Sequence, residues 1–420
     1  MNMKSLLSAT KAAITVITIS LALTAAAAAQ YTETTLYTFP LINDSPPPSP
    51  SGLISDHAGN FYGTTNFYGS CGNPELCGTV FELSPTTGGE WTETTLYSFS
   101  DESTLGSPLA IDDAGNLYGV TYGGVSGTGY CTGEPRGCGT VFELSPSSGG
   151  WTFTTIHSFE GPDGAYPNAV ILDSAGNLYG TTNYGGSATC CGFGTVFTLT
   201  HNASGWHHII LHRFTGGNDG KGPAAGLVMD ASGNFYGTTN DGGEDGYGTV
   251  FKLTPNGAGG LRFGWIHAFF GGQKGAGPFA PLIVDAAGNL YGTTRYGGSQ
   301  TSTCAPYGGC GIVFELLAPG YREQILRIFQ PNEDGAWPQA GLVADADGNL
   351  FGTTWSGGKV EGSVFELSPS AGSWSETILL AGSADLGSFT GGVILDSAGN
   401  LYGPSHGSVI FELSPPAPAQ

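Results

Sequence analysis

Past residue 30, no window of the chain repeats its apolar residues at the 3.6-residue spacing of an amphipathic helix. What recurs is a succession of short runs rich in β-branched and aromatic residues, each bounded by Gly, Asn, Asp, Ser or Pro. Residues 169–172, 177–182, 194–199 and 206–212 form one such set and predict four strands separated by turns. The set is one of seven. A block reading Asp, two residues, Gly, Asn, Leu or Phe, an aromatic and Gly begins at Asp56, Asp112, Asp173, Asp230, Asp285, Asp345 and Asp396. Spacings of 51 to 61 residues suit a four-stranded unit with generous loops. Repeated radially, such a unit is a propeller blade, so the pattern predicts an all-β, seven-bladed β-propeller.

The connections follow from composition. Strands one and two join through the Asp-x-x-Gly-Asn turn, where Gly can take positive φ and the Asp and Asn side chains can bond the turn backbone. Strands three and four join through Ser-Pro and a glycine pair, as in residues 84–89. The segment Tyr31–Phe39 closely matches the fourth-strand segment Trp91–Phe99, yet it precedes the first Asp block, while the seventh unit stops after its third strand at Leu413. Residues 32–39 are therefore expected to complete the last blade by pairing with residues 408–413, which leaves no open edge. An open solenoid is the rival architecture, but distinct capping repeats are not visible.

The repeats read Gly-Asn-Leu-Tyr-Gly-Thr-Thr, then Tyr-Gly-Gly, then Gly-Thr-Val-Phe-Glu-Leu. In this the chain resembles the GloVer tandem repeat of secreted bacterial proteins, often grouped under "choice-of-anchor" names. The likeness covers nearly all of the chain past its leader. Gly119-Val120-Thr121 and Gly403-Pro404-Ser405 depart from the pattern, and the C-terminal sorting anchor of such proteins is not seen. The resemblance implies export and a propeller-like fold; it implies no activity and carries over no catalytic residues.

The first thirty residues change the picture of location. Lys4 and Lys11 precede an uncharged run from Ala12 to Ala29 that closes on Ala27-x-Ala29, the form of a cleaved signal peptide over residues 1–29. An uncleaved anchor is the alternative reading of so long an apolar run. A single propeller domain is then expected over 30–414, with a disordered Pro/Ala tail at 415–420 and no stable membrane insertion after cleavage. Without the leader's lysines, ten Lys and Arg stand against 34 Asp and Glu, a formal charge of −24. Polyanion binding needs clustered cations, so nucleic acid is excluded as an expected partner. The chain is read as a secreted acidic protein, extracellular, at the cell surface or periplasmic, and as a monomer.

Cysteine spacing agrees with export. Cys71 and Cys77, Cys131 and Cys138, and Cys304 and Cys310 form close pairs, which read as loop disulfides; zinc ligands would need tighter spacing and a second pair nearby. Cys190 and Cys191 are adjacent, and a ring between neighbours is strained, so their pairing stays open.

In a propeller whose first strand is innermost, the loops from strand two to strand three share one face with the inter-blade connections. These loops vary in length and carry all eight cysteines, whereas the Asp turns barely change. Variable loops on a repeated scaffold are where binding is expected. That face presents Tyr68, Tyr122, Tyr184, Tyr296 and Trp355, with Asn183, Asn240, Asp241 and Arg295 among them. Aromatic faces beside polar groups suit sugar rings or extended peptides. The plainer reading is that each tyrosine packs against the next blade, although Arg295 and Trp355 break their columns. The binding set is Asn183, Tyr184, Asn240, Asp241, Arg295, Tyr296 and Trp355, for a glycan or protein partner.

Metal and catalytic signals are weak. Residues 345–349 look like the start of a calcium loop, but no Glu follows at the required spacing, and a structural turn is preferred. Asp163, Asp219 and Asp334, each followed by Gly, form a second acidic set, yet unit five has Lys274 there, which argues against a uniform calcium ring. No cofactor is expected. Nucleophile elbow, zincin helix and phosphate loop are all missing, and His207 and His208 face opposite sides of one strand. The sequence therefore favours an exported non-enzymatic binding or scaffold protein. A carbohydrate-active hydrolase or lyase at the mouth of the central channel is the alternative.

Overall fold

The computed structural model describes residues 31–40, 48–66, 77–100, 105–123, 137–187, 192–257, 260–301, 303–331, 333–356, 361–383, 386–389 and 391–417. They form seven four-stranded antiparallel sheets in sequence order around a central channel, a seven-bladed β-propeller. Residues 1–30, Tyr68, and Cys71, Cys131, Cys190 and Cys191 lie outside the described residues.

The third blade runs through Ala165–Leu172, Leu178–Tyr184, Thr195–Asn202 and Gly205–Arg213, close to the runs read from sequence. Closure occurs as expected. Thr32–Thr38 is the outer strand of the last blade, paired antiparallel with Val409–Ser414 from Thr32 opposite Ser414 to Thr38 opposite Val409. The Phe39 amide then donates to the Ser408 carbonyl at 2.9 Å.

The Gly within each Gly-Asn-Leu-Tyr-Gly block has a steric cause. Gly180 lies directly opposite Phe197 on the next strand, and a Cβ there would come within 2.6 Å of the Phe197 ring and 2.7 Å of the Ala169 carbonyl. The same close approach recurs at Gly63 with Phe81 and at Gly237 with Phe251. Each of these rings is fully buried and meets an edge-on Phe from the preceding blade: Phe159 on Phe197 at 5.2 Å, Phe214 on Phe251 at 5.3 Å. Phe39, from the strand that closes the ring, packs at 5.0 Å on Phe81 of the first blade. The core thus runs from blade to blade around the circle.

The Asp turns are built by their own hydrogen bonds. Asp173 Oδ1 accepts from the amides of Ala175 and Asn177, both at 2.9 Å, while Oδ2 accepts from Asn177 Nδ2 at 2.9 Å and the Tyr179 hydroxyl at 3.2 Å. Burial opposes ionisation, yet such bonds hold the Asp56, Asp230 and Asp396 carboxyls below their usual range. Asp345 spends its oxygens the same way, on the amides of Asp347 and Asn349 and on Asn349 Nδ2, which accounts for the calcium-like residues 345–349 as a turn.

Among the described residues, no helix is long and apolar enough to cross a membrane. Cys304 and Cys310 form a disulfide, and both are fully buried.

Candidate functional site at the channel mouth

The second strands end on the variable face, where short bridges tie them to the inter-blade loops: Lys221 to Asp241, Ala276 to Tyr296, Ala336 to Ser356. Within those loops, four residues occupy one equivalent position. Tyr166, Gly222, Gly277 and Trp337 each donate an amide hydrogen bond to a carbonyl in the strand-two-to-three loop of the preceding blade, at 2.8, 2.9, 2.9 and 2.8 Å, and have φ of 57°, 64°, 61° and 58°. Glycine accepts this left-handed geometry freely; a bulky aromatic does so at a cost of about 1 kcal/mol or more. Two of the four positions nonetheless carry the largest side chains in the repertoire.

Around each of these strained residues an aromatic cluster is assembled. Tyr166 stacks on Tyr122 with centroids 4.7 Å apart and meets Tyr184 edge-on at 5.8 Å. Tyr122 and Tyr184 remain 45 % and 53 % exposed, so their faces are available from solvent. Partial burial and the neighbouring Tyr184 and Tyr166 push the Tyr122 hydroxyl above its usual pKa, keeping it a neutral hydrogen-bond donor. The second cluster joins Trp337 to Trp355 at 6.0 Å, with the Trp337 indole donating to the Gly309 carbonyl at 2.9 Å. Beside it the Arg295 guanidinium lies 5.5, 5.4 and 5.9 Å from the rings of Phe279, Tyr296 and Trp355. Its Nε is buried without a hydrogen-bond partner.

Tyr122 and Phe279 also line the central cavity, a space of about 1080 Å³ otherwise walled by aliphatic residues of the inner strands. Asn66, Asn168 and Gln339 supply polar groups there, and the described lining contains no Asp, Glu, His, Lys or Arg. A large apolar mouth with few polar groups is the usual form of a small-molecule or chain-binding cleft.

The seven residues singled out from sequence divide between two roles. Arg295, Tyr296 and Trp355 come together in one cluster, and Tyr184 belongs to the other. Asn183 instead braces a loop, its Nδ2 donating to the Pro223 carbonyl at 3.0 Å. Asp241 forms a rim ion pair with Lys221 at 3.3 Å, both half-exposed, and Asn240 sits against the neighbouring Gly222. Sequence reasoning missed Tyr166, Trp337 and Phe279. The signal was there in the residue before proline after each Asp-Gly or Lys-Gly: Tyr166, Gly222, Gly277 and Trp337 form a column in which two aromatics replace Gly.

The fold and site define a closed propeller with an aromatic-rimmed, apolar channel mouth. Residues 127–305 match the model of the Gloeobacter/Verrucomicrobia repeat. No curated protein matches the sequence. Among solved structures, a catalytically inactive virginiamycin B lyase from Staphylococcus aureus with quinupristin is similar at TM-score 0.55 and 12 % identity, covering 92 % of this chain and 99 % of that one. The extracellular domain of a putative hybrid two-component system from B. thetaiotaomicron gives TM-score 0.53 at 16 % identity over 92 % of this chain and 41 % of that one. PorZ, a surface component of the type-IX secretion system of Porphyromonas gingivalis, gives 0.52 at 14 % over 89 % and 48 %. This chain thus spans less than half the length of the last two. At such identities the likeness shows the fold, and the neighbours include both an enzyme and a surface component.

Proposed function

We propose that the protein is an exported, non-enzymatic binding module that holds a glycan across the mouth of its channel. The observation that carries this reading is the pair of aromatic clusters built on Tyr166 and Trp337, residues held in a backbone conformation that their sister repeats reserve for Gly. Exposed tyrosine faces stack on the apolar faces of sugar rings, and Asn66 and Gln339 offer amides for hydroxyls. The hydrolase alternative calls for two carboxylates facing one ligand, and the described lining of the channel offers none.

Glycan-array binding by the protein without its leader tests the proposal. Tyr166→Gly and Trp337→Gly install the residue that Gly222 and Gly277 already use, so both variants should keep the propeller fold, checked by circular dichroism, while losing the packing of one ring. A glycan hit weakened at least tenfold by either substitution supports the reading; a tenfold loss corresponds to about 1.4 kcal/mol. Silence across neutral and acidic polysaccharides, or a hit indifferent to both variants, removes it.

A further inference from the structure

We propose that His157, Asp163 and His208 form a divalent-cation site of the zinc class across the seam between the second and third blades. His157 comes from the outer strand of one blade, Asp163 from the loop that follows it, and His208 from the outer strand of the next. Their donor atoms all lie within 4.8 Å of one another. His157 Nε2 is 2.9 Å from Asp163 Oδ2, and Asp163 Oδ1 accepts the Glu160 amide at 2.8 Å, which fixes the carboxylate in place. The His157 and His208 rings are stacked, with centroids 4.3 Å apart and planes 2° from parallel. His208 Nε2 is buried and has no hydrogen-bond partner.

The equivalent seams show what packing alone requires. One blade on, His212 pairs with Asp219 at 3.0 Å and stacks at 3.5 Å on Phe263, which occupies the place of His208. One blade back, Tyr97 stacks at 4.4 Å on Phe153. A phenyl ring therefore satisfies the seam, and an imidazole adds only a nitrogen that lacks a partner, which is unfavourable when buried. A bound cation would give that nitrogen its partner.

Two imidazoles and one carboxylate are the donor set of a zinc-class ion with open positions, whereas calcium and magnesium favour all-oxygen sites. His157 and Asp163 are 21 % and 25 % exposed, so an ion can enter from solvent. Arg213 adds positive charge near His208. Asp163 opposes the positive charge that Arg213 adds. Capture requires the stacked rings to turn toward the ion and the donors to close to about 3.3 Å, the separation set by zinc–nitrogen bonds of about 2.0–2.1 Å.

The test is calorimetric titration of the tag-free, chelator-treated protein with Zn²⁺ alone. One equivalent bound with a dissociation constant of about 10 µM or tighter is expected. His208→Phe copies the neighbouring seam and should weaken this binding at least tenfold with a metal-free melting temperature no lower than the parent's, whereas His207→Ala should leave it intact. Phe263→His places the same three donors around His212 and Asp219 and should create a second equivalent. No uptake by the parent protein at about 100 µM Zn²⁺, or parental binding by His208→Phe, overturns the proposal. Should His208→Phe fail to fold, failure of Phe263→His to add a second equivalent overturns it.

Discussion

Glu323→Gln should stabilise the protein, and only above about pH 5. At the seam between the fourth and fifth blades, Glu323 faces His267 with Oε1 and Nε2 3.9 Å apart and side chains 10 % and 11 % exposed. That distance is too long for a hydrogen bond, and neither atom has another partner. The geometry suggests an ion pair, but both groups are pushed toward their neutral forms: burial, only partly opposed by Lys274, raises Glu323 to about 7, while burial and the charge of Lys274 lower His267 to about 4. For a carboxyl raised in the folded state, the penalty grows as pH climbs from the unfolded value, 4.5, to the folded value, and stays constant above it. A shift of that size corresponds to ~3 kcal/mol, reduced to ~2 kcal/mol after residual solvent screening. Glutamine keeps the shape and removes the charge. Urea unfolding of parent and variant should therefore show a gain of ~2 kcal/mol at pH 8 that shrinks toward zero at pH 4, with an unchanged denaturant slope. The Glu323→Gln variant should itself lose stability on acidification from 6.5 toward 4, because the unfolded chain takes the proton that buried His267 refuses, whereas in the parent the relief of Glu323 over the same range offsets that loss. A gain equal at every pH, or a loss at pH 8, would refute the reasoning and show that ionised Glu323 is held by His267 or Lys274.

Two further outcomes follow from the fold. Deleting residues 31–39 removes the outer strand of the last blade together with the Phe39–Phe81 contact, so it should lower the unfolding midpoint and expose the Val409–Ser414 edge; light scattering after size exclusion should then show association, and a fully monomeric deletion variant of parental stability would disprove closure. Gly180→Ala forces a Cβ to within 2.6 Å of the Phe197 ring and should cost about 1–3 kcal/mol in denaturant unfolding, while Gly149→Ala, with nothing within 4 Å of its Cβ, should be neutral; equal effects would remove the close-approach explanation of the repeated Gly.

How much was legible follows from what repetition does to a signal. Blade number, the turn chemistry of Asp173 and the strand exchange of Thr32–Thr38 were readable because seven copies of a local rule appear side by side, and a displaced fourth strand has only one place to go. Arg295 and Trp355 stood out for the same reason, as departures within a column, and the structure brings both to one cluster. Asn183 and Asp241 were less legible, since a polar residue on a loop face serves a bracing bond or a rim ion pair as readily as a ligand. The His157–His208 contact was not visible at all: the two residues hold different positions along strands of different repeats, and only the stagger of neighbouring blades stacks them.

Tyr166 and Trp337 mark the step that sequence reasoning left out. A positive φ cannot be read from a single loop, yet comparing loops reveals it, because Gly222 and Gly277 identify the geometry that the other two must share. At such a position the folding problem already has its cheapest solution in Gly. An aromatic residue there is strained in the backbone and, although it packs against the neighbouring core, Gly222 and Gly277 show that a blade closes without it. In a repeated fold, the residues that break a column against the local energetic preference are therefore the ones to test first, and here both stand on the same face, Trp337 against Trp355, one of three aromatic rings around Arg295.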